Sequence, residues 1–319
     1  MKYAGRGAAL LAVALLATAC TEDAEPVFPE EPVASAVSTE YDPSLEPSAA
    51  VLPLVPEEAT TLTVTDFEQL RLTLGFGTFD GSTDAADRAR FWNTVGSAVS
   101  LSDGLLRPVD ARLRADFGFG QDDVSWEARY GGDAEGWVLA FRDGLPMTGV
   151  QRAVQAGVGP LAGAVLDPER RLVTSAAAPD GDASWAADLE VVALVGAQAN
   201  ATYVERGCVP FDTVFGKGME EQLAETPAAA LGALEPLEGY AVAFGSDLVT
   251  VQLGPERTDA FERLRIDQVM PQLEPEFGSV FARGVADPST GRLGYNLVKA
   301  DVATRWTLER RLPFAVCTE

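Results

Sequence analysis

The sequence predicts an α+β protein: a mostly antiparallel sheet with helices packed on one face, duplicated into two similar units if an internal echo is real. Three observations carry this expectation. Apolar residues recur at every second position in several short segments and at helical spacing in others. The order strand, helix, strand, strand occurs in both halves. Apolar residues make up 47% of the chain, enough for a sizeable core.

Taken in order, Leu62-Thr63-Val64-Thr65 alternates as a short strand, and Asp66 to Leu74 begins a helix. Thr83 is placed to cap a second helix, with Asp84 and Asp87 in its first turn. Phe91, Trp92, Val95 and Val99 form its apolar stripe, and Leu106, Val109 and Leu113 repeat the spacing in a shorter segment. The period then changes to two. Val124, Trp126, Ala128 and Tyr130 face one way, with Ser125, Glu127 and Arg129 opposite. After the Gly131-Gly132 turn, Trp137, Leu139 and Phe141 continue the alternation. Thr148 marks another helix start. Val165-Leu166 and Leu172-Val173-Thr174 flank Asp167-Pro168-Glu169-Arg170, a hairpin-type connection.

The later half echoes this order. Gly136–Phe141 resembles Gly239–Phe244, and Ala164–Pro168 resembles Gly284–Pro288. A helix near Asp259–Met270 and a strand carrying Leu293, Tyr295 and Leu297 complete the comparison. Ala201–Arg206 can be set beside Ala303-Thr304 and Glu309-Arg310, with Pro210-Phe211 matching Pro313-Phe314. The expected organisation is residues 1–19 as an export signal, 20–60 as a tether, 61–207 as a first α+β unit and 208–319 as a second.

Lys2 and Arg6 precede an apolar run, Ala8 to Ala17, and the small residues Thr18-Ala19 lead to Cys20. This is the layout of an export signal, too short for a comfortable membrane span. With a cysteine at the cut it resembles a bacterial lipoprotein signal. The resemblance implies that Cys20 is lipidated and becomes the mature N-terminus. The protein would then be held on the extracytoplasmic face of the cell membrane or the outer membrane. Residues 21–60 carry ten acidic residues, seven prolines and no basic residue, a composition that repels itself and favours an extended leash.

Acidic residues outnumber basic ones 48 to 24, for a net charge of −24, which excludes nucleic acid as a partner. The chain contains no histidine, which removes the usual general base and the commonest zinc, copper or haem ligand. No cofactor and no metal are expected. Cys208 and Cys317 form an even pair, and in an exported protein such a pair predicts a disulfide. It would close the second unit.

The remaining candidates are weighed by residue type. Asp116, Asp122, Asp123 and Glu127 cluster around Phe117–Gly120, a pattern compatible with paired catalytic carboxylates. In so acidic a chain they read more simply as surface. Asp80–Asp84 and Asp180-Gly181-Asp182 offer oxygen ligands for calcium but lack the full calcium loop. Phe215-Gly216-Lys217-Gly218 lacks the phosphate-loop spacing, and Ser246 with Lys217 or Lys299 has no motif behind it. Trp92, Trp126, Trp137, Trp185 and Trp306 would line a ligand groove if they met in space. The expected function is non-catalytic binding or scaffolding outside the cytoplasm, through an envelope protein or a small apolar ligand. A Trp-lined groove between the halves that binds a small molecule or lipid is the first alternative. A carboxylate-based hydrolase is the second.

Overall fold

In the computed structural model, which describes residues 39–77, 79, 83–216, 232–255, 257–267 and 277–317, the alternating segments join one ten-stranded antiparallel sheet. The first half contains α1 (Pro47–Ala50), β1 (Ala59–Asp66), α2 (Phe67–Thr73), α3 (Ala85–Val95), α4 (Asp110–Phe117) and β2 (Val124–Gly132). It continues through β3 (Gly136–Phe141), α5 (Met147–Gln155), β4 (Val165–Asp167), β5 (Leu172–Thr174) and α6 (Leu189–Leu194). The second half contains β6 (Ala201–Arg206), α7 (Phe211–Phe215), β7 (Gly239–Phe244) and β8 (Leu248–Gln252). It ends with α8 (Ala260–Asp267), β9 (Phe281–Asp287), β10 (Arg292–Leu297) and α9 (Ala300–Leu308).

Strand order across the sheet is β4-β5-β3-β2-β1-β6-β7-β8-β10-β9. Read outward from the centre, β1-β2-β3-β5-β4 and β6-β7-β8-β10-β9 follow the same path. The halves meet where β1 pairs with β6, with Val64 opposite Thr202. Hydrogen bonds repeat as well as topology. Phe141 N–H donates to Arg171 O at 3.0 Å in the first half, and Leu253 N–H donates to Gly291 O at 2.9 Å in the second. Both outer hairpins turn on Asp-Pro. Asp167 Oδ1 accepts from Glu169 and Arg170 N–H, and Asp287 Oδ1 accepts from Ser289 N–H. Each turn ends in a left-handed residue, Arg171 at φ 59° and Gly291 at φ 63°.

These pairings correct the sequence alignment of the two halves. By topology β3 corresponds to β8 and β2 to β7, so Gly136–Phe141 and Gly239–Phe244 are not counterparts. Ala201–Arg206 is a strand, whereas Ala303-Thr304 lies inside α9. Short alternating apolar segments resemble one another whichever strand they form. The Val165 and Val285 hairpins are counterparts, each forming the outer edge of its path. The division at residue 207 also moves, because β6 is the first strand of the second path.

Alternation decides the two faces. Leu139, Glu127, Thr65 and Ala201 are registered neighbours across β3, β2, β1 and β6, so they share one face. Over that face lie α2 to α5 in the first half, with Phe67, Phe91, Leu113 and Val150 fully buried. Tyr203, Val242 and Leu293 continue it beneath Ala260, Ala303 and Trp306 in the second half. The opposite face carries Leu62, Val64, Val138 and Val204, and its middle is covered by Val51, Leu52, Val55 and Trp185. The tether therefore ends earlier than expected. Residues 47–60 form α1, a short 3-10 turn (Leu52–Leu54) and the start of β1, with Val51, Leu52, Val55 and Ala59 at 0% exposure. Prolines here sit where they cost nothing: Pro47 and Pro53 occupy first turns, where no N–H partner is needed.

Two helix starts also differ from expectation. Asp84 rather than Thr83 caps α3, accepting from Ala86 and Asp87 N–H at 2.5 and 3.3 Å. Pro146 rather than Thr148 sits at the N-cap of α5.

Candidate functional site

Cys20 lies outside the described residues, as do Asp80–Ser82 and Lys217. Cys208 and Cys317 are joined, their Cα atoms 4.9 Å apart, a separation suited to a disulfide. The bond ties the chain just after β6 to the C-terminal segment. Val209 N–H donates to Ala315 O and Cys317 N–H to Val209 O, both at 2.8 Å. Arg263 of α8 donates to Phe314 O at 2.8 Å and to Val316 O at 3.2 Å. Its Nε donates to Asp259 at 2.8 Å, so the closure is reinforced by a buried ion pair.

The acids between residues 116 and 127 do not behave alike. Asp116 is exposed beside Arg112, whereas Asp122, Asp123 and Glu127 are buried, contrary to their reading as surface residues. Helices and loops fold over the sheet here, and together with the strand itself they bring donors to each carboxylate. Asp122 Oδ2 accepts from Arg88 at 2.6 Å and from Arg114, while Oδ1 accepts from Trp92 Nε1 at 2.6 Å. Asp123 accepts from Arg142 Nε and Gly120 N–H, both at 2.8 Å. Glu127 accepts from Ser102 Oγ, Leu105 N–H at 2.7 Å and Arg129 Nε at 3.0 Å. A charge at these positions is tolerated because every one meets charge-assisted donors. The arrangement is not that of two acids facing each other across a substrate.

Asp122 forms the back wall of a cleft of about 700 Å³ between α3 and α4. The two helices supply matched pairs. Arg88 and Trp92 are four residues apart on α3, and Asp110 and Arg114 four apart on α4, so each pair shares a face. Arg114 Nε donates to Asp110 at 2.7 Å, and Gln121 N–H donates to the same carboxylate at 2.6 Å. A Cβ at Gly120 would press on the Asp110 carboxylate and the Arg114 guanidinium, so a larger residue here would have to displace that pair. Burial pulls the Arg114 pKa down, but its bond to Asp110 and the charges of Asp122 and Asp110 outweigh this and hold it above its ordinary value. Arg107 closes the rim. Its guanidinium lies 4.7 Å from the Trp92 ring centroid. Ala85, Ala89 and Ala111 leave the interior open.

Two other clusters are structural by geometry. On β6 and β7, Tyr203 and Tyr240 hydroxyls donate to Glu205 Oε2 at 2.7 and 2.6 Å, and Arg310 donates to Oε1. Burial, followed by the Glu205 charge, pushes the Tyr203 phenol well up. A second cleft, of about 520 Å³, is lined by Tyr41, Asp66, Trp126 and Arg171 among others. Its Asp66 caps α2 through Gln69 N–H at 2.9 Å, and burial pushes its pKa up to about 6.

The tryptophans do not converge. Trp185 donates to Ala59 O at 3.1 Å in the core of one face, with Trp126 in the same cluster. Trp306 stacks on Phe277, 5.7 Å between centroids, and Trp137 packs beside Leu139. Trp92 alone of the five lines the cleft between α3 and α4. Asp180 and Asp182 belong to a short turn, and the described residues hold no group of three or more acids or cysteines placed for a metal. Lys299 stands at the N-cap of α9. What residue types alone missed was the arginines. Their number reads as compositional, yet the four-residue spacing to Trp92 and Asp110 was visible.

The chain matches no protein-family model, no curated protein and no solved structure.

Proposed function

We propose that this is a lipid-anchored extracytoplasmic binding protein. It acts by holding a small ligand in the cleft between α3 and α4, not by catalysis. One observation carries the binding part of the reading: arginines and a tryptophan gather around an open cleft in a chain of net charge −24. Cleft size supports it, since small-molecule sites run from roughly 300 to 1,000 Å³. The acids near the cleft are held by internal donors and are not poised in pairs for hydrolysis. The anchoring part rests on residues 1–20, and the Cys208–Cys317 bond supports an oxidising compartment.

The test is extraction from the membrane fraction of cells that make the protein, followed by mass spectrometry of chain and cargo. An acylated N-terminal Cys20 and a retained small molecule are the expected results. A mature chain with an unmodified start in the soluble fraction would overturn the anchoring. An intact, folded, ligand-free protein that takes up nothing from a cell extract would overturn the binding.

A further inference from the structure

We infer that the cleft between α3 and α4 takes a small organic anion, its oxygens held by Arg107 and its apolar body laid against Trp92 and the alanine floor. The inference rests on the binding reading above and assigns the ligand its chemical class.

Charge makes the first part of the case. The cleft is lined by Arg88, Arg107 and Arg114 against Asp110 and Asp122. Among the described residues the lining is therefore net positive, in a chain whose acids outnumber its bases two to one. Arg107 is exposed and meets no carboxylate among the described residues; its Nη1 donates only to Asp103 O, at 3.3 Å. Asp110 and Asp122 hold the Arg88 and Arg114 guanidiniums from behind. That fixes their planes before any ligand arrives, so less freedom is lost on binding. Guanidinium groups match the oxygen geometry of carboxylate and phosphate.

Size and polarity make the second part. Screening confines the attraction to roughly 10 Å, so a small anion responds to the local arginines while a polyanion meets the acidic surface beyond them. A small cation would meet three guanidiniums and be repelled. The methyl groups of Ala85, Ala89 and Ala111 and the half-buried Trp92 indole offer an apolar floor. Phe67 and Phe91 hold Trp92 edge-on, with centroids 5.4 and 5.0 Å away. The indole is therefore a fixed wall.

Calorimetry with 2-naphthoate, 2-naphthyl phosphate and the neutral 2-naphthalenemethanol tests this on the full mature chain. At least one anion should bind saturably and roughly tenfold or more tightly than the alcohol, and comparing the two anions tells carboxylate from phosphate. Arg107→Gln should weaken that anion by a similar factor, with Arg107→Lys recovering part of it. Arg107 is exposed, so neither change disturbs the core. Ala89→Trp, on the exposed side of α3, should block the cleft without opening the core. If the alcohol binds as well as both anions and Ala89→Trp removes all three, the cleft is a binding site but the anion assignment is wrong. Unchanged affinity in Arg107→Gln also overturns the assignment. If no probe saturates below roughly 10 mM, the site and its ligand class both fall.

Discussion

Asp66 shows how one position links a helix cap to pH. Its carboxyl caps α2, yet burial, aided by the Glu68 and Glu46 charges, raises its pKa to about 6 against the opposing Gln69 and Glu68 N–H groups. The folded state then binds this proton more tightly than the unfolded chain, whose aspartate titrates near 4. Between those values folding takes up a proton, so stability increases as pH falls from about 7 towards 4. The full effect is about 2–3 kcal/mol. Asp259 acts in the opposite sense but in a lower window. Burial raises its pKa, but the Arg257 and Arg263 interactions outweigh that and lower it, so its contribution is lost only as pH falls below the ordinary aspartate range. Asp66→Asn keeps an equally good cap and removes the titration. Denaturant unfolding of both proteins between pH 4 and 7 should show a slope in the native chain that the variant lacks. Parallel curves would mean that Asp66 titrates normally.

At the scale of elements, the segment before β1 has the largest unanticipated role. Residues 39–60 are proline-rich and acidic, yet Val51, Leu52 and Val55 cover the face of the sheet left bare by the longer helices. Trp185 reaches the same layer, and Glu57 N–H bonds to Ala183 O at 2.9 Å. Removing the segment would expose Leu62, Val64 and Val204 to water. Each fully buried aliphatic side chain is worth about 1.5–3 kcal/mol, so exposing these three costs roughly 4.5–9 kcal/mol, comparable to the whole stability of an ordinary domain. A mature chain shortened to start at Thr61 should therefore be insoluble or lose its cooperative melt, whereas one starting at Thr39 should fold. Equal melting of the two would show that the α1 layer contributes little.

Across the whole molecule, two copies of one strand path share a single sheet, and β1 and β6 make the seam. Neither path has to close on itself, since each supplies the other with a neighbour for its first strand. In the second path Cys208–Cys317 ties the chain just after β6 to the C-terminal segment and closes a loop spanning 109 positions. Loop entropy assigns such a cross-link roughly 2–5 kcal/mol. Reducing it, or replacing both cysteines by serine, should lower stability by that amount in denaturant titrations. The cleft at Arg107 lies in the other half, so its ligand affinity should stay the same. Loss of ligand binding on reduction would mean that the halves are coupled through the seam.

Local rules made much of this architecture legible in the amino-acid order. Period-two alternation marked β1, β2, β3 and β10, and Asp-Pro turns marked both outer hairpins, because these signals depend on a few adjacent residues. The even cysteine pair was equally readable. Pairing partners were not, because a strand's apolar pattern says which face it buries but not which neighbour it joins. That ambiguity produced the mistaken match of Gly136–Phe141 with Gly239–Phe244. Burial of Asp122, Asp123 and Glu127 was hidden for a related reason: an acid's environment depends on donors distant in sequence. Arg88 lies 34 positions from Asp122, and only packing of α3 and α4 on the sheet brings them within 2.6 Å. Sequence alone thus determined the type of several strands and helices, the outer turns and the disulfide, all set by neighbouring residues or by cysteine number. Tertiary structure decided the strand order, the docking of residues 39–60 and the gathering of arginines around Trp92, because each requires the chain to return to itself.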